Sequence, residues 1–248
     1  MDNTVCIILA GGSGTRLFPI TKSVNKHLLP IYDMPLIYYP FSILLNAGYK
    51  EFIIVTNKDH IQSFKKLFDF SKKLNVSIKF SIQKKPEGIA QALKLQIKKI
   101  KKGKDILLFL GDNIFKSNTI ISSLKKNKNS DKGLIFIKEV HDPGRFGVYN
   151  KQKNIIIEKP KKFISKYAVT GIYKYKYGDL KFLYNLKKSI RGEYEITDFN
   201  NILLFKEHIN IVKLKKNDYW LDTGTFDGLL EASNFAKNNN KFFKWISP

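Results

Sequence analysis

Strand-like apolar runs alternate with helix-like segments through the first half of this chain, and that alternation constrains the fold more than any other feature. The predicted strands cover residues 5–9, 52–55, 78–82 and 106–110. The predicted helices between and after them cover residues 36–47, 59–70, 89–100 and 119–126. Such a pattern is typical of βαβ units, in which helices cover both faces of a parallel sheet.

The second half is richer in strands and has neither repeats nor a flexible linker. Strands are predicted at 134–139, 146–149, 155–157, 169–175 and 209–214, and helices at 178–187, 196–205 and 226–236. We therefore predict an α/β protein with three layers, in which helices flank a mainly parallel, mixed central sheet. Residues 1–238 are expected to form a single domain, and residues 239–248 a short C-terminal tail.

Hydropathy and cysteine content indicate a cytoplasmic protein without a membrane partner. The first apolar run ends at Gly11 and follows an acidic residue, unlike a secretory signal. The apolar stretch 36–48 is interrupted by Pro40 and is shorter than the ~20 residues of a membrane span. The one cysteine, Cys6, excludes an internal disulfide and suits a reducing compartment.

The net charge of +23 raises the alternative of a nucleic-acid-binding module. The basic residues are nearly all lysines spread along the chain, with dense runs at 98–104 and 125–128. No aromatic-interleaved RNA-binding motif accompanies them, and runs of charge usually form solvated surfaces. We therefore predict no nucleic-acid partner.

A glycine-rich turn follows the first predicted strand, with the sequence Ala-Gly-Gly-Ser-Gly-Thr-Arg at 10–16. Glycines allow consecutive backbone amides to face one anion, so the turn is a candidate phosphate cradle. Leu17 stands where a dinucleotide fingerprint needs a third glycine, and the Lys-Ser/Thr ending of a P-loop is missing. Because ligands bind at the carboxyl ends of parallel strands, the loops after the first and fourth strands are the candidate site.

Further motifs connect this turn to a known family. They include Lys-His-Leu-Leu-Pro at 26–30, Pro-Glu-Gly-Ile-Ala-Gln-Ala at 86–92, Leu-Gly-Asp-Asn at 110–113, Glu-Lys-Pro at 158–160, Arg-Gly-Glu-Tyr-Glu at 191–195 and Trp-Leu-Asp-Thr-Gly-Thr at 220–225. In this order they resemble the sugar nucleotidyltransferases, and the Ile-Tyr-Asp-Met-Pro block at 31–35 resembles their thymidylyltransferase branch. The resemblance implies a Rossmann-like nucleotidyltransferase fold.

The implied reaction joins dTTP, or UTP, to glucose 1-phosphate and releases pyrophosphate. A phosphate oxygen of the sugar phosphate attacks the α-phosphorus in line, with Mg²⁺ as the cofactor. Catalysis then consists mainly of positioning and neutralising anions. The product would feed dTDP-rhamnose and surface polysaccharide, and the family's habit implies a homo-oligomer, either a dimer or a tetramer.

The resemblance also implies a set of site residues. The catalytic cations are Arg16, Lys26, Lys159 and Arg191. The nucleotide is expected on Leu9, Gly11, Gly12, Ser13, Gly14, Thr15, Arg16, Gln83, Pro86, Gly88 and Asp112. The sugar phosphate is expected on Asn113, Gly147, Glu158, Lys159, Val169, Gly171, Tyr173, Arg191 and Glu193. Asp112 and Asp222 are expected to hold the metal.

The arginine content supports this set from the residues alone. The chain has three arginines, Arg16, Arg145 and Arg191, and each lies in a motif of the resemblance. Where lysine is the default cation, arginine is expected where its planar, bidentate geometry matters. Arg145 is expected to brace the loop before Gly147.

Two features depart from the family pattern. His27 stands where thymidylyltransferases usually have glutamine, and the chain ends soon after residue 235, before most of the family's C-terminal extension. We expect feedback regulation to be absent for that reason. A uridylyl- or cytidylyltransferase of the same superfamily and a nucleotide-sugar glycosyltransferase remain alternative functions, although an Asp-x-Asp metal motif is missing at 111–113.

Overall fold

The computed structural model describes residues 3–239. The strands are β1 Thr4–Leu9, β2 Pro30–Ile31, β3 Met34–Pro35, β4 Glu51–Thr56, β5 Ser77–Ile82, β6 Asp105–Leu110, β7 Asn113–Lys116, β8 Gly133–Glu139, β9 Gly147–Asn150, β10 Ile155–Glu158, β11 Tyr167–Tyr175, β12 Ile209–Lys213 and β13 Tyr219–Asp222. The α-helices are α1 Tyr38–Asn46, α2 Ile61–Leu67, α3 Ile89–Ile97, α4 Asn118–Lys126, α5 Ile196–Phe205 and α6 Phe226–Asn238. Residues 1–2, and residues 240–248 of the predicted tail, lie outside the described residues.

Nine strands form one mixed sheet. The strands of the first half are parallel in the order β5-β4-β1-β6. β11 then pairs antiparallel with β6, β9 and β8, β10 pairs antiparallel with β9, and β12 runs parallel to β8. The predicted α/β class with a mixed, mostly parallel central sheet is confirmed.

Side chains of β1 alternate between two apolar cores, one on each face of the sheet. Cys6 and Ile8 pack with α1, whereas Val5 and Ile7 pack with α3 and α5. All four side chains are buried. A strand covered on both faces reads as a continuous apolar run, which is why the central strands were recognisable from the sequence.

The structure differs from the prediction in two helices and in a small sheet. The segment predicted as a helix at 178–187 is a 3₁₀ helix over Tyr177–Asn185, whose buried Leu180 and Leu183 stand three residues apart, as one turn of a 3₁₀ helix requires. The helix predicted at 59–70 ends at Leu67 and continues as a 3₁₀ turn over Asp69–Lys72. The two-stranded sheet β7–β13 was not predicted.

Two further features bear on the site. Short 3₁₀ turns at Thr15–Leu17, Ile20–Lys22 and Lys26–Leu28 follow the glycine-rich turn. Among residues 3–239, no helix combines the length and apolar character that crossing a bilayer requires.

Candidate active site

The loops after β1 and β6 lie side by side at the carboxyl edge of the parallel strands. The strands pair in register up to Leu9 and Leu110, and the Gly111 N–H donates to the Leu9 carbonyl over 2.9 Å. A Cβ on Gly111 would lie 2.6 Å from that carbonyl oxygen and 2.7 Å from the His27 ring. Glycine at 111 therefore allows the two loops and His27 to meet closely.

Hydrogen bonds shape the glycine-rich turn. Asn25 donates from Nδ2 to the Ala10 carbonyl over 2.9 Å, and Thr21 donates from Oγ1 to the Gly14 carbonyl over 2.7 Å. Gly14 has a φ of 63°, in the left-handed region that glycine adopts without steric cost. The following 3₁₀ turn places Arg16 toward the second half of the chain.

One cavity, of about 260 Å³, opens between this turn and the start of α3, and we call it the β1–α3 cavity. Predicted nucleotide residues that line it are Leu9, Gly11, Gly12, Gln83, Pro86, Gly88 and Asp112. The predicted cation Lys26 lines it too, as do His27 and the apolar residues Ile89, Ala92 and Leu110. Ser13, Gly14 and Thr15 are not in the lining of this or the neighbouring cavity, within the described part of the chain.

A second cavity, of about 560 Å³, adjoins the first, and we call it the β11 cavity. It contains every residue predicted for the sugar phosphate: Asn113, Gly147, Glu158, Lys159, Val169, Gly171, Tyr173, Arg191 and Glu193. Asp112, Leu110, Ile89 and Glu193 line both cavities. The two spaces therefore share a boundary that includes Asp112.

Several residues of the β11 cavity were not predicted. They are Phe146, Thr170, Glu195, Ile196, Thr197, Asn200 and Trp220, together with the boundary residues Ile89 and Leu110. Glu195 ends the motif at 191–195, and Ile196 and Thr197 directly follow it, so adjacency in sequence was an available signal. Asn200 lies one turn further along α5, and no sequence signal distinguished it.

Arg16 lies at the boundary between the glycine-rich turn and the second half of the chain. It lines the β11 cavity and not the β1–α3 cavity. Its guanidinium lies so close to Gly224 that a Cβ there would be 2.6 Å from Nη2. Its positive charge also lowers the pKa of Asp222 in part, against the larger effect of burial. Arg16 thus faces the carboxylates at the boundary of the two cavities.

Arg191 is held by three acidic side chains at the rim of the β11 cavity. Its guanidinium lies 3.3 Å from Glu158, 3.2 Å from Glu193 and 3.5 Å from Glu195. Burial raises the pKa of Glu195 above its ordinary value. The cluster fixes the arginine and leaves carboxylate oxygens in the cavity, where they can accept hydrogen bonds from hydroxyl groups.

The antiparallel pairing of β9 with β10 brings Lys159 close to Gly147, because Gly147 pairs with Glu158. Lys159 has a φ of 40°, a left-handed conformation that is uncommon outside glycine and costs free energy. Its N–H donates to the Phe146 carbonyl over 3.0 Å. The strained backbone thereby places the Lys159 side chain in the lining of the β11 cavity.

Asp112 is ionised and held from two sides. Its Oδ2 forms an ion pair with Lys26, and its Oδ1 accepts a hydrogen bond from Asn113 Nδ2 over 2.9 Å. Asn113 in turn accepts from Trp220 Nε1 over 2.6 Å. Burial opposes ionisation, yet the charge of Lys26 and these hydrogen bonds hold the pKa of Asp112 well below its usual range.

Asp222 meets Asp112 through the two-stranded sheet that the sequence did not predict. Asp222 pairs with Asn113 in the β7–β13 register, and the Thr223 N–H donates to the Asp112 carbonyl over 3.0 Å. Burial and then the negative charge of Asp112 raise the pKa of Asp222. Arg145 lies 3.6 Å from its carboxylate, so this arginine reaches the site as well as flanking the loop before Gly147.

These two carboxylates fit a divalent cation by their chemistry. They repel each other, as the raised pKa of Asp222 reflects, and a cation between them would relieve that repulsion. Magnesium typically takes one or two carboxylates and completes its coordination with phosphate oxygens and water. Within residues 3–239, no group of three or more acidic, histidine or cysteine side chains is placed to hold a metal, so the substrate would supply the other ligands.

His27 is buried and neutral beside this centre. Its exposed fraction is 2%, and its Nδ1 lies 2.8 Å from Asn25 Oδ1. Burial, and then the positive charge of Lys26, lower the pKa of His27 to about 3. Because Asn25 Oδ1 accepts, Nδ1 carries the proton and Nε2 remains an acceptor.

Comparison with known proteins places these features in a family. The family model described as nucleotidyl transferase matches residues 5–239. The glucose-1-phosphate thymidylyltransferase of Mycolicibacterium smegmatis is 42% identical over 236 residues, which cover 93% of this chain and 81% of that protein.

Two solved structures have folds similar to that of this chain. A Bacillus anthracis protein assigned as a glucose-1-phosphate thymidylyltransferase and solved with sucrose superposes with a TM-score of 0.87 at 37% identity, covering 97% of this chain and 99% of that one. A UDP-glucose pyrophosphorylase solved with UDP-glucose shares the fold, with a TM-score of 0.81 at 22% identity over 95% of this chain and 99% of that one. The resemblance drawn from the motifs is confirmed, and the chain belongs to the nucleotidyl transferase family.

Proposed function

We propose that this protein is a glucose-1-phosphate thymidylyltransferase, which converts dTTP and glucose 1-phosphate into dTDP-glucose and pyrophosphate. The observation that carries the proposal is the position of Asp112 and Asp222. One cavity on the side of the glycine-rich turn and one lined by Glu158, Lys159 and Arg191 meet at Asp112. A ligand in either cavity can thus reach Asp112, and a ligand in the β11 cavity can also reach Asp222.

The β1–α3 cavity is the proposed nucleotide site. Gln83 offers an amide that can both donate to and accept from a pyrimidine, and Leu9, Pro86 and Ala92 supply apolar walls. Amides of the turn at 11–16 are the proposed donors to the triphosphate. Lys26 and its ion-pair partner Asp112 both line this cavity, so Lys26 can exchange that ion pair for the departing pyrophosphate.

The β11 cavity is the proposed sugar-phosphate site. Lys159 and Arg191 are the cations for the phosphate, while Glu158 and Glu193 are the acceptors for sugar hydroxyls. The backbone of Val169 and Gly171 shapes the wall, and a side chain at 171 would collide with Asn113 Oδ1 at 2.6 Å.

The chain's residues then supply position and charge. A sugar-phosphate oxygen forms a bond to the α-phosphorus, and the bond from that phosphorus to the β-phosphate bridging oxygen breaks. Arg16, Lys26 and Lys159 neutralise the crowded phosphates, and no covalent intermediate with the protein is required. Mg²⁺, when held by Asp112 and Asp222, would add charge stabilisation on the phosphate oxygens.

The proposal also includes a cytoplasmic location and a homo-oligomer, either a dimer or a tetramer.

A uridylyltransferase is the second candidate. The Gln83 amide can form the same hydrogen bonds with thymine and with uracil. A UDP-glucose pyrophosphorylase also has the same fold. Nucleotide choice separates the two candidates. The test is pyrophosphate release from glucose 1-phosphate and MgCl₂ with dTTP, UTP, CTP or ATP.

Asp112→Ala should abolish turnover, by about 10³-fold or more, because it removes a carboxylate at the reacting centre. Asp131→Ala is the matched control, since Asp131 is exposed and lies in neither cavity. A preference for UTP would favour the second candidate, and no release with any nucleotide would contradict both.

A further inference from the structure

The amide of Gln83 is held by a second glutamine that has no predicted role. Gln83 donates from Nε2 to Gln91 Oε1 over 2.7 Å. Gln83 follows β5 and is buried, with 7% of its surface exposed, and its N–H donates to the Thr56 carbonyl over 2.8 Å. Gln91 lies in the first turn of α3 and does not line the β1–α3 cavity. Gln91 therefore acts on that cavity only through Gln83.

The orientation of an amide decides which pyrimidine it can read. Thymine and uracil present an N3–H donor beside an O4 acceptor, whereas cytosine presents an N3 acceptor beside an N4 donor. A glutamine amide fits the first pair in one orientation and the second pair after a half turn about its last bond. A glutamine that can turn freely therefore discriminates poorly between these bases.

The contact with Gln91 favours one of those orientations. One hydrogen of Gln83 Nε2 goes to Gln91, which leaves the other hydrogen and Oε1 for a ligand. Oε1 lies beside Gly11, 2.9 Å from where a Cβ on that residue would stand. Gly11 and Gln83 both line the cavity, so this acceptor lies at the wall of the space proposed for the base.

We propose that Gln91 is a positioning residue that holds the Gln83 amide in the orientation that accepts from the N3–H of thymine or uracil and disfavours cytosine. The inference rests on the proposed function, which places the base in the β1–α3 cavity. The opposite orientation requires Gln91 to donate instead of accept, which its own amide can do only by turning as well. Reading cytosine while keeping the hydrogen bond between the two glutamines therefore requires both amides to turn together.

Two variants of Gln91 separate this role from packing. Gln91→Glu keeps the length and can only accept, so it enforces the orientation seen here. Gln91→Met keeps the length and neither accepts nor donates strongly, so Gln83 is free to turn. Lys94→Met is the matched control, because Lys94 lies on the same helix and contacts the Tyr184 ring instead of Gln83.

The experiment measures dissociation constants of dTTP and dCTP without sugar phosphate, and kcat/KM for both with glucose 1-phosphate. The wild type should prefer dTTP, and Gln91→Glu should keep or increase that preference. Gln91→Met should reduce it by about tenfold, chiefly by improving dCTP, since one neutral hydrogen bond no longer opposes the turn. Lys94→Met should leave the ratio unchanged, and thermal melting verifies that each variant is folded.

Two results would overturn the inference: a wild type that binds both nucleotides equally, or a Gln91→Met variant with the wild-type ratio. The second result includes an equal loss of affinity for both nucleotides, which leaves the ratio unchanged and is the effect of packing alone. If no pyrophosphate is released with any nucleotide, the proposed function fails, while the ratio of dissociation constants still decides the role of Gln91.

Discussion

At the scale of one residue, Asp222 shows how the proposed metal site would lower the stability of the metal-free protein. Its carboxylate is largely buried beside Asp112, and burial together with that neighbouring charge raises its pKa. Ionising Asp222 in the folded protein therefore costs free energy, and this cost lowers the free energy of unfolding. Sites that bind charge strongly often carry this kind of local instability.

We predict that Asp222→Asn does not destabilise the metal-free protein and stabilises it by up to about 1 kcal/mol. In the wild type the Gly224 N–H donates to Asp222 Oδ1 over 3.1 Å. The side-chain oxygen of the introduced asparagine can accept the same hydrogen bond. Addition of MgCl₂ with dTTP should raise the melting temperature of the wild type and leave that of the variant nearly unchanged. Thermal unfolding measures both effects, with the exposed Asp227→Asn as control. A variant that keeps the full magnesium effect would remove Asp222 from the proposed metal site.

His27 makes a pH-dependent contribution at the same scale. Burial and the charge of Lys26 lower its pKa from 6.5 to about 3 in the folded protein. Between these values the unfolded chain binds a proton that the folded protein does not, so lowering the pH favours unfolding. From pH 7.5 to 5 we predict a loss of up to ~2 kcal/mol from this residue.

Urea unfolding of wild type and His27→Gln at both pH values measures that loss as a difference. Glutamine does not titrate, so the free energy of unfolding should fall less with acidification in the variant. Other titrating groups, including the acids with raised pKa values, are common to both proteins and cancel. Equal pH dependence in the two proteins would show that His27 is not held neutral by burial.

At the scale of elements, the start of α3 and the segment carrying Tyr194 are in direct backbone contact. Gly88, the N-cap of α3, has a φ of 104°, and a Cβ there would lie 2.4 Å from the Tyr194 carbonyl oxygen. The Tyr194 N–H donates to the Glu87 carbonyl over 2.9 Å. Gly88 lines the β1–α3 cavity, and the segment it touches carries Arg191 and Glu193. This contact therefore joins the walls of the two cavities.

We predict that Gly88→Ala is much more destabilising than Gly103→Ala. Gly103 has a similar φ of 87° but has no atom within 4 Å of the added Cβ. Gly103→Ala should lower the free energy of unfolding by about 1–2 kcal/mol, because alanine is strained in the left-handed region. The collision at Gly88 should add about 2 kcal/mol or more. Urea unfolding of both variants isolates the contact, and equal losses would argue against it.

At the scale of the whole molecule, 44 basic and 21 acidic residues leave a net charge of +23. Several lysines are used in specific contacts, such as Lys104 with Glu51 and Lys176 with Asp105. Basic residues outnumber acidic ones about two to one, so the acidic side chains cannot neutralise the positive charge of the chain. A net charge this far from zero destabilises a compact state through self-repulsion.

We predict that the melting temperature rises between low salt and about 0.3 M NaCl, as the Debye length falls below ~10 Å. A fall would mean that attractive surface ion pairs outweigh the repulsion. Sodium acetate at the same ionic strength should have the same effect if screening is the cause. An increase restricted to one anion would point instead to specific binding of that anion.

Local sequence patterns were sufficient to predict the central strands and part of the candidate site. Continuous apolar runs in β1, β4 and β6 predicted strands buried on both faces, because a parallel sheet covered by helices requires them. Ligands bind beyond the carboxyl ends of such strands, and this rule predicted the candidate site in the loops that carry Gly11 and Asp112. Scarce arginines in a lysine-rich chain identified Arg16, Arg145 and Arg191, and all three line the β11 cavity.

Only the tertiary structure decided how distant residues meet. The pairing of β7 with β13, which brings Asp222 beside Asp112, joins segments more than 100 residues apart and has no periodic signal in either short strand. The neutral state of His27 depends on its burial between Asn25 and Gly111, and the position of Arg16 depends on its approach to Gly224. The bond between Gln83 and Gln91 joins the end of a strand to a helix. Such contacts depend on how the whole chain packs, so short-range sequence patterns predict the elements and leave these contacts undetermined.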